Sequence, residues 1–208
     1  MGTFKRMNRG SRGTVVSIIV LWALTIGPLA AQQPPTDVFV LDDFSQGAGA
    51  SQVGTSWEAF TDGVMGGRSR MTAGIVTDGP APYLRMVGQV SLENNGGFIQ
   101  VRLPLAERGS QVDAGAFRGF ELEVRGVGSG YFLHLRTSRN RRPWAHYTAP
   151  LPVSSNWQTV RVPFEAFRPE FSTRRTTPDL QRLTSVAVVA GNAEFDADIS
   201  VRTIGMYR

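Results

Sequence analysis

The chain has 208 residues, no cysteine, a formal charge of +5 and a sequence pI of about 10.4. Without thiols there can be no disulfide, thiolate metal site, cysteine nucleophile or lipid-modified N-terminal cysteine, so the fold must be held by its core. Four of the 22 Lys and Arg and none of the 17 Asp and Glu precede Gln32, so the remainder carries only +1 and the basic pI does not argue for nucleic acid.

The chain opens with Lys5, Arg6, Arg9 and Arg12, continues as an apolar run from Val15 to Ile26, and then reads Gly27-Pro28-Leu29-Ala30-Ala31. That is the order of a secretory signal peptide cleaved after Ala31. The run is short for a membrane span and Gly27-Pro28 breaks it. An uncleaved anchor and a mitochondrial presequence are the alternatives, and the second should be amphipathic rather than continuously apolar. The expected organisation is a leader over 1–31, a polar proline-containing linker over 32–36 and one domain over 37–208, exported to the periplasm or secreted. Membrane contact is expected only through a retained leader. About 175 residues after the leader suit one domain with a sizeable core.

Beyond the linker, segments of alternating character predict strands over Val38–Phe44, Tyr83–Val90, Phe98–Leu103, Phe120–Arg125, Tyr131–Arg136, Trp157–Phe164, Ser185–Ala190 and Ile199–Met206. Phe120, Leu122 and Val124 alternate with Glu121, Glu123 and Arg125, giving one face inward and one in water. No sustained helical period is present, so the fold class is all-β, a sandwich of two antiparallel sheets. Phe164 to Leu183 reads as a long irregular connection carrying Arg174-Arg175, with a short helical turn near Pro178–Gln181.

Two glycine-rich stretches stand out, Trp57-Glu58-Ala59-Phe60-Thr61-Asp62-Gly63-Val64-Met65-Gly66-Gly67-Arg68-Ser69 and Ser91-Leu92-Glu93-Asn94-Asn95-Gly96-Gly97-Phe98. Both are rich in residues that reach positive φ at little cost, and Asn95-Gly96 is the strongest hairpin signal in the chain. They read as turns forming a ligand-binding rim of backbone amides with Asp62, Arg68, Ser69, Glu93, Asn94 and Asn95. Tight turns and close sheet packing are the other reading.

These stretches, with Tyr131, Trp144, Tyr147 and Trp157-x-x-Val160-x-Val162-Pro163-Phe164, resemble the complex I intermediate-associated protein family over roughly Leu41 to Tyr207. The resemblance implies a galactose-binding-like jelly-roll domain and a chaperone-like scaffold that holds a partner protein. The same fold carries carbohydrate-binding modules elsewhere, so a glycan is the alternative partner. One departure is Gly126-Val127-Gly128-Ser129-Gly130, where such sequences commonly read G-D-G before the tyrosine.

Other candidates are weaker. Trp144, His146 and Tyr147, with Arg136, would suit a sugar, since aromatic faces pack on sugar edges while Arg and His donate to hydroxyls. Asp42, Asp43, Asp196 and Asp198 lie at the first and last strands, where they could gather part of the six to eight or so oxygens of a structural calcium ion. Arg136, Arg139, Arg141 and Arg142 read as a solvated hairpin tip or an acidic partner's docking surface. No G-x-S-x-G elbow, P-loop or dinucleotide fingerprint is present, so no nucleotide cofactor is expected. Asp62 and Glu93 are the carboxylate pair that a glycan-active hydrolase would use. The expected reading is a non-catalytic module without a cofactor.

The leader makes one checkable statement. Intact-mass analysis of the protein from its native host is expected to show a chain beginning at Gln32; recovery of an intact Met1 N-terminus would contradict it.

Overall fold

The computed structural model describes residues 37–47, 50–171 and 175–208. The predicted leader, cleavage site and linker, and Arg174, lie outside the described residues.

Two six-stranded antiparallel sheets pack face to face. The first contains β1 (Val38–Asp42), β3 (Arg70–Val76), β4 (Tyr83–Val90), β6 (Gly119–Val127), β9 (Gln158–Pro163) and β12 (Phe195–Tyr207). The second contains β2 (Glu58–Thr61), β5 (Phe98–Pro104), β7 (Tyr131–Thr137), β8 (His146–Pro150), β10 (Arg168–Glu170) and β11 (Leu183–Gly191), in the order β10-β8-β7-β11-β5-β2. This is a jelly-roll β-sandwich. All eight strands expected from alternation form, and β2, β3, β8 and β10 join them. Among the described residues no helix is long and apolar enough to cross a membrane.

Alternation builds the core. Phe120, Leu122 and Val124 of β6 point inward beside Val160 and Val162 of β9, opposite Ile99, Val101 and Leu103 of β5. Phe120 meets Phe164 and Phe167 edge to face, with ring centroids 5.3 and 6.1 Å apart. β12 is the spine of the first sheet. Its thirteen residues pair with β6 on one flank and on the other with β4 at its beginning and β1 at its end.

Most connections pass from one sheet to the other, and this overturns the expected hairpin at Asn95-Gly96. β4 ends in the first sheet and β5 begins in the second, so the segment between them crosses the sandwich edge instead of folding back on its own strand. Asn94 and Asn95 do take left-handed φ values of 57° and 56°, but Gly96 is extended, and a two-residue hairpin turn does not form. β2 to β3 crosses at the same end.

β6 to β7 is a third crossing, and Gly128 and Gly130 there have φ of 92° and 91°, so the glycine turn survives without the acidic residue. The Tyr131 hydroxyl pins it, donating to the Val127 carbonyl at 2.7 Å and accepting the Asp198 N–H at 3.0 Å. Tyr131→Phe leaves that part-buried N–H without its acceptor and is expected to cost about 1–3 kcal/mol. Denaturant melts would show it as a lower midpoint at unchanged slope; an unshifted midpoint would show that the hydroxyl does not hold the crossing.

Candidate functional site

The two glycine-rich crossings meet on one carboxylate. After β2, the Thr61 hydroxyl accepts the Gly63 N–H and starts a 3-10 turn over Asp62–Met65, which ends at Gly66 with φ of 90°. Asp62 is 0% exposed. Its Oδ1 accepts the Ser69 N–H at 2.9 Å, and its Oδ2 accepts the Ser69 hydroxyl at 2.5 Å and the Gly97 N–H at 2.7 Å. A Cβ on Gly67 would lie 2.3 Å from Asp62 Cγ, and one on Gly96 would lie 2.5 Å from its Oδ2. Burial pushes this carboxyl up, but the Ser69 hydroxyl and the N–H groups of Gly97, Ser69 and Phe98 outweigh it and hold the group below the ordinary carboxylate value.

The expected rim is therefore a knot. Asp62 and Ser69 are buried at its centre and occupied by one another. Asp62 has no path to a glycosidic bond, so the Asp62 and Glu93 pair does not form a hydrolase site. Arg68 and Glu93 make a 2.9 Å ion pair with both side chains exposed, and Asn94 Nδ2 donates to the Gly66 carbonyl at 3.3 Å. The groups that the knot presents to solvent include Val64, Met65 and Leu92, which are 73%, 57% and 48% exposed.

The aromatic strip does not join this knot. Trp144 and His146 lie where β7 passes into β8, near the end of β5 at Pro104, whereas the knot adjoins Phe98 at its start. Six residues of strand separate these rows, roughly 20 Å. The strip also divides. Tyr147 points into the core and His146 to the outer face, because consecutive strand residues face opposite ways. Trp144 is 47% exposed, with the Arg142 guanidinium 5.8 Å from its ring.

The expected calcium site does not assemble either. β1 pairs only with the end of β12, where Asp42 lies opposite Ile204, while Asp196 and Asp198 lie opposite Gln89 and Val87 near its beginning. Asp42 is buried and accepts from Trp57 Nε1 at 2.8 Å and the Phe44 N–H at 2.9 Å. Asp43 accepts from Ser45 and Gln52, and Asp198 holds Arg85 through two bonds of 3.0 and 2.7 Å.

The outer faces of the two sheets differ. On the first sheet charges neutralise one another: Arg85 with Asp198, Arg161 with Glu121 and Arg202 with Glu123, while Arg125 and Arg202 lie 4.7 and 4.1 Å from the Trp157 ring. On the second, strand register aligns Phe60, Gln100, Val189, Phe132 and Pro150 in one row, and Glu58, Arg102, Ala187, His134, Thr148 and Arg168 in the next. The central strand contributes small side chains, and the taller neighbours lean over them, so Ala187 and Val189 are buried although they face outward. The result is a platform of half-buried aromatic and hydrogen-bonding side chains. Arg102 is pinned by Glu58 and lies 4.5 Å from the Phe60 ring. The side chains of Gln100 and His134 have no hydrogen-bond partner among the described residues, and the buried Thr148 Oγ1 has none either. Burial, and then the neighbouring His146 ring, push His134 well below the usual histidine value, so it is neutral near pH 7. The sequence reading had no signal for Gln100, Thr148 or Glu170, because strand order alone brings them together.

The family model described as complex I intermediate-associated protein 30 (CIA30) matches residues 43–199. The chain belongs to the CIA30 family. No curated protein matches the chain in sequence. Among solved structures, the family 11 carbohydrate-binding module of the cellulosomal cellulase Lic26A-Cel5E of Clostridium thermocellum is similar with a TM-score of 0.63 at 14% identity, over 82% of this chain and 95% of that one. The Clostridium thermocellum module in complex with a β-1,3-1,4-mixed-linked tetrasaccharide gives 0.62 at 16% identity, over 81% and 94%. The agarase AgWH50C gives 0.55 at 9% identity, over 82% of this chain and 24% of that one. The CIA30 domain thus shares the jelly-roll fold of these modules.

The knot yields a pH-dependent expectation. Asp62→Asn removes one acceptor oxygen and is expected to destabilise the domain by about 2–4 kcal/mol at pH 7. A carboxylate held below its unfolded value adds stability that is complete above about pH 4 and is lost as the pH falls through the folded value. The gap between parent and variant should therefore narrow as melts are taken into that acid range; a constant gap would show that the carboxylate charge is not what the crossings bind.

Proposed function

We propose that this CIA30 domain is a non-catalytic binding module that holds a neutral, extended glycan against the outer face of its second sheet. One observation carries the reading: Gln100 and His134 bring side chains without a hydrogen-bond partner among the described residues to one face, beside the rings of Phe60 and Phe132. Uncharged donors and acceptors suit hydroxyl groups, and half-buried aromatic rings suit the apolar faces of sugars. The rows run across strands, so the surface matches a ligand longer than one sugar. The shared fold of the family 11 modules, one of them in complex with a mixed-linked tetrasaccharide, supports the same class of ligand.

A protein partner is the second reading, consistent with the family's description, and Val64, Met65 and Leu92 favour it as an exposed apolar knuckle held by the Asp62 knot. The two readings use different residues, so they separate cleanly. Calorimetry with a panel of neutral oligosaccharides that includes the mixed-linked β-glucan tetrasaccharide is expected to show binding. Phe132→Ala should weaken it about tenfold and Gln100→Ala about three- to tenfold, while a Val64→Asp, Met65→Asp double variant binds as the parent does. Binding lost in the double variant and kept in the two face variants would move the site to the knuckle.

A further inference from the structure

His134 of β7, His146 of β8 and Glu170 of β10 come from three neighbouring strands of the second sheet, on the outer face at its β10 edge. One nitrogen from each histidine and one carboxylate oxygen all lie within 4.8 Å of one another. The two imidazoles stack at 3.8 Å between centroids with 22° between planes, and His146 lies directly opposite Glu170 in the strand register.

Hydrogen bonds orient His146 within this group. Its Nδ1 lies 2.8 Å from the Trp144 carbonyl oxygen and its Nε2 lies 2.9 Å from Glu170 Oε2. A carbonyl oxygen can only accept, so Nδ1 carries a proton, and Nε2 is the nitrogen turned toward Glu170. The arrangement is the one that prepares a metal-binding histidine: Nδ1–H donates to a backbone carbonyl, which fixes the tautomer and aims Nε2 at the ion. His134 completes the set with ring nitrogens that have no hydrogen-bond partner among the described residues.

We infer that His134, His146 and Glu170 form a binding site for a divalent transition-metal ion, for which zinc is the best match. Two imidazole nitrogens and one carboxylate oxygen are ligands that zinc favours, and three protein ligands leave a fourth position open. Calcium and magnesium prefer all-oxygen sets, so the imidazoles select against them. Zinc ligands sit about 2.0–2.2 Å from the ion, so the three donor atoms must adjust around it on binding. Arg136, whose charge opposes a cation here, is drawn away to the carbonyls of Asn140 and Arg142 at 3.0 and 2.9 Å and to that of Pro143.

Titration of the full chain with Zn2+ against a chromophoric chelator, without any glycan, tests the site. One equivalent is expected to bind, and Co2+ in its place should give the visible absorption of a four-coordinate ion. His134→Gln, His146→Gln and Glu170→Gln should each weaken Zn2+ by at least about tenfold while melts confirm the fold. Absence of saturable binding by the folded parent would overturn the proposal, as would three folded variants that bind like it. His146 and Glu170 would then be an ordinary hydrogen-bonded pair. Glycan binding measured with chelator present reports on the platform separately, so either reading can fail alone.

Discussion

The sandwich closes at one end because a single carboxylate accepts hydrogen bonds from two chain crossings. Asp62 follows β2 directly, and the groups that reach it come from the segment entering β3 and from the segment entering β5. The two sheets are thereby joined at the edge where β2, β3, β4 and β5 pass between them. The glycine content follows from this demand. Gly67 and Gly96 are needed because a Cβ would occupy the carboxylate's own space, whereas Gly66 and Gly97 are needed for their backbone, with φ of 90° and 137°. One sequence motif therefore answers two separate physical requirements.

That distinction marks how far the sequence could be read. Strands such as Phe120–Arg125 were legible because their inward residues recur at every second position and the element is long enough to show it. β10 was hidden by its three residues and by Pro169, and β8 by its place between prolines in a segment read for its aromatic composition. The positive backbone angles at Asn94 and Asn95 were readable, but the destination of the chain was not, since a crossing and a hairpin begin with the same residues. Tyr147 shows the reverse case: its neighbour His146 faces outward, so period-2 alternation already required Tyr147 to face the core once the segment is recognised as a strand. Gln100, His134 and Thr148 became neighbours only through the order of β5, β11, β7 and β8, which no local pattern contains.

The two outer faces divide the work of a small domain without disulfides. On the first sheet, acidic and basic side chains satisfy one another across β4, β6, β9 and β12, leaving a hydrated surface with few unmet groups. On the second, crowding around the small residues of β11 and the Arg102–Glu58 pair order the face, while the side chains of Gln100 and His134 keep no hydrogen-bond partner among the described residues. Order without internal partners is what a binding face needs, because little conformational freedom is left to lose when a ligand arrives.

The ends of the second sheet add a restriction on how that ligand can arrive. One edge strand is β2, four residues long, and the other is β10, three residues with Pro169 at its centre and therefore no N–H to offer there. Short, proline-blunted margins make a poor template for an incoming extended peptide. Recruitment by β-augmentation, in which a partner extends the sheet through main-chain bonds, is disfavoured at both margins, and recognition falls to the flat of the sheet, where side-chain chemistry rather than backbone geometry decides what is accepted.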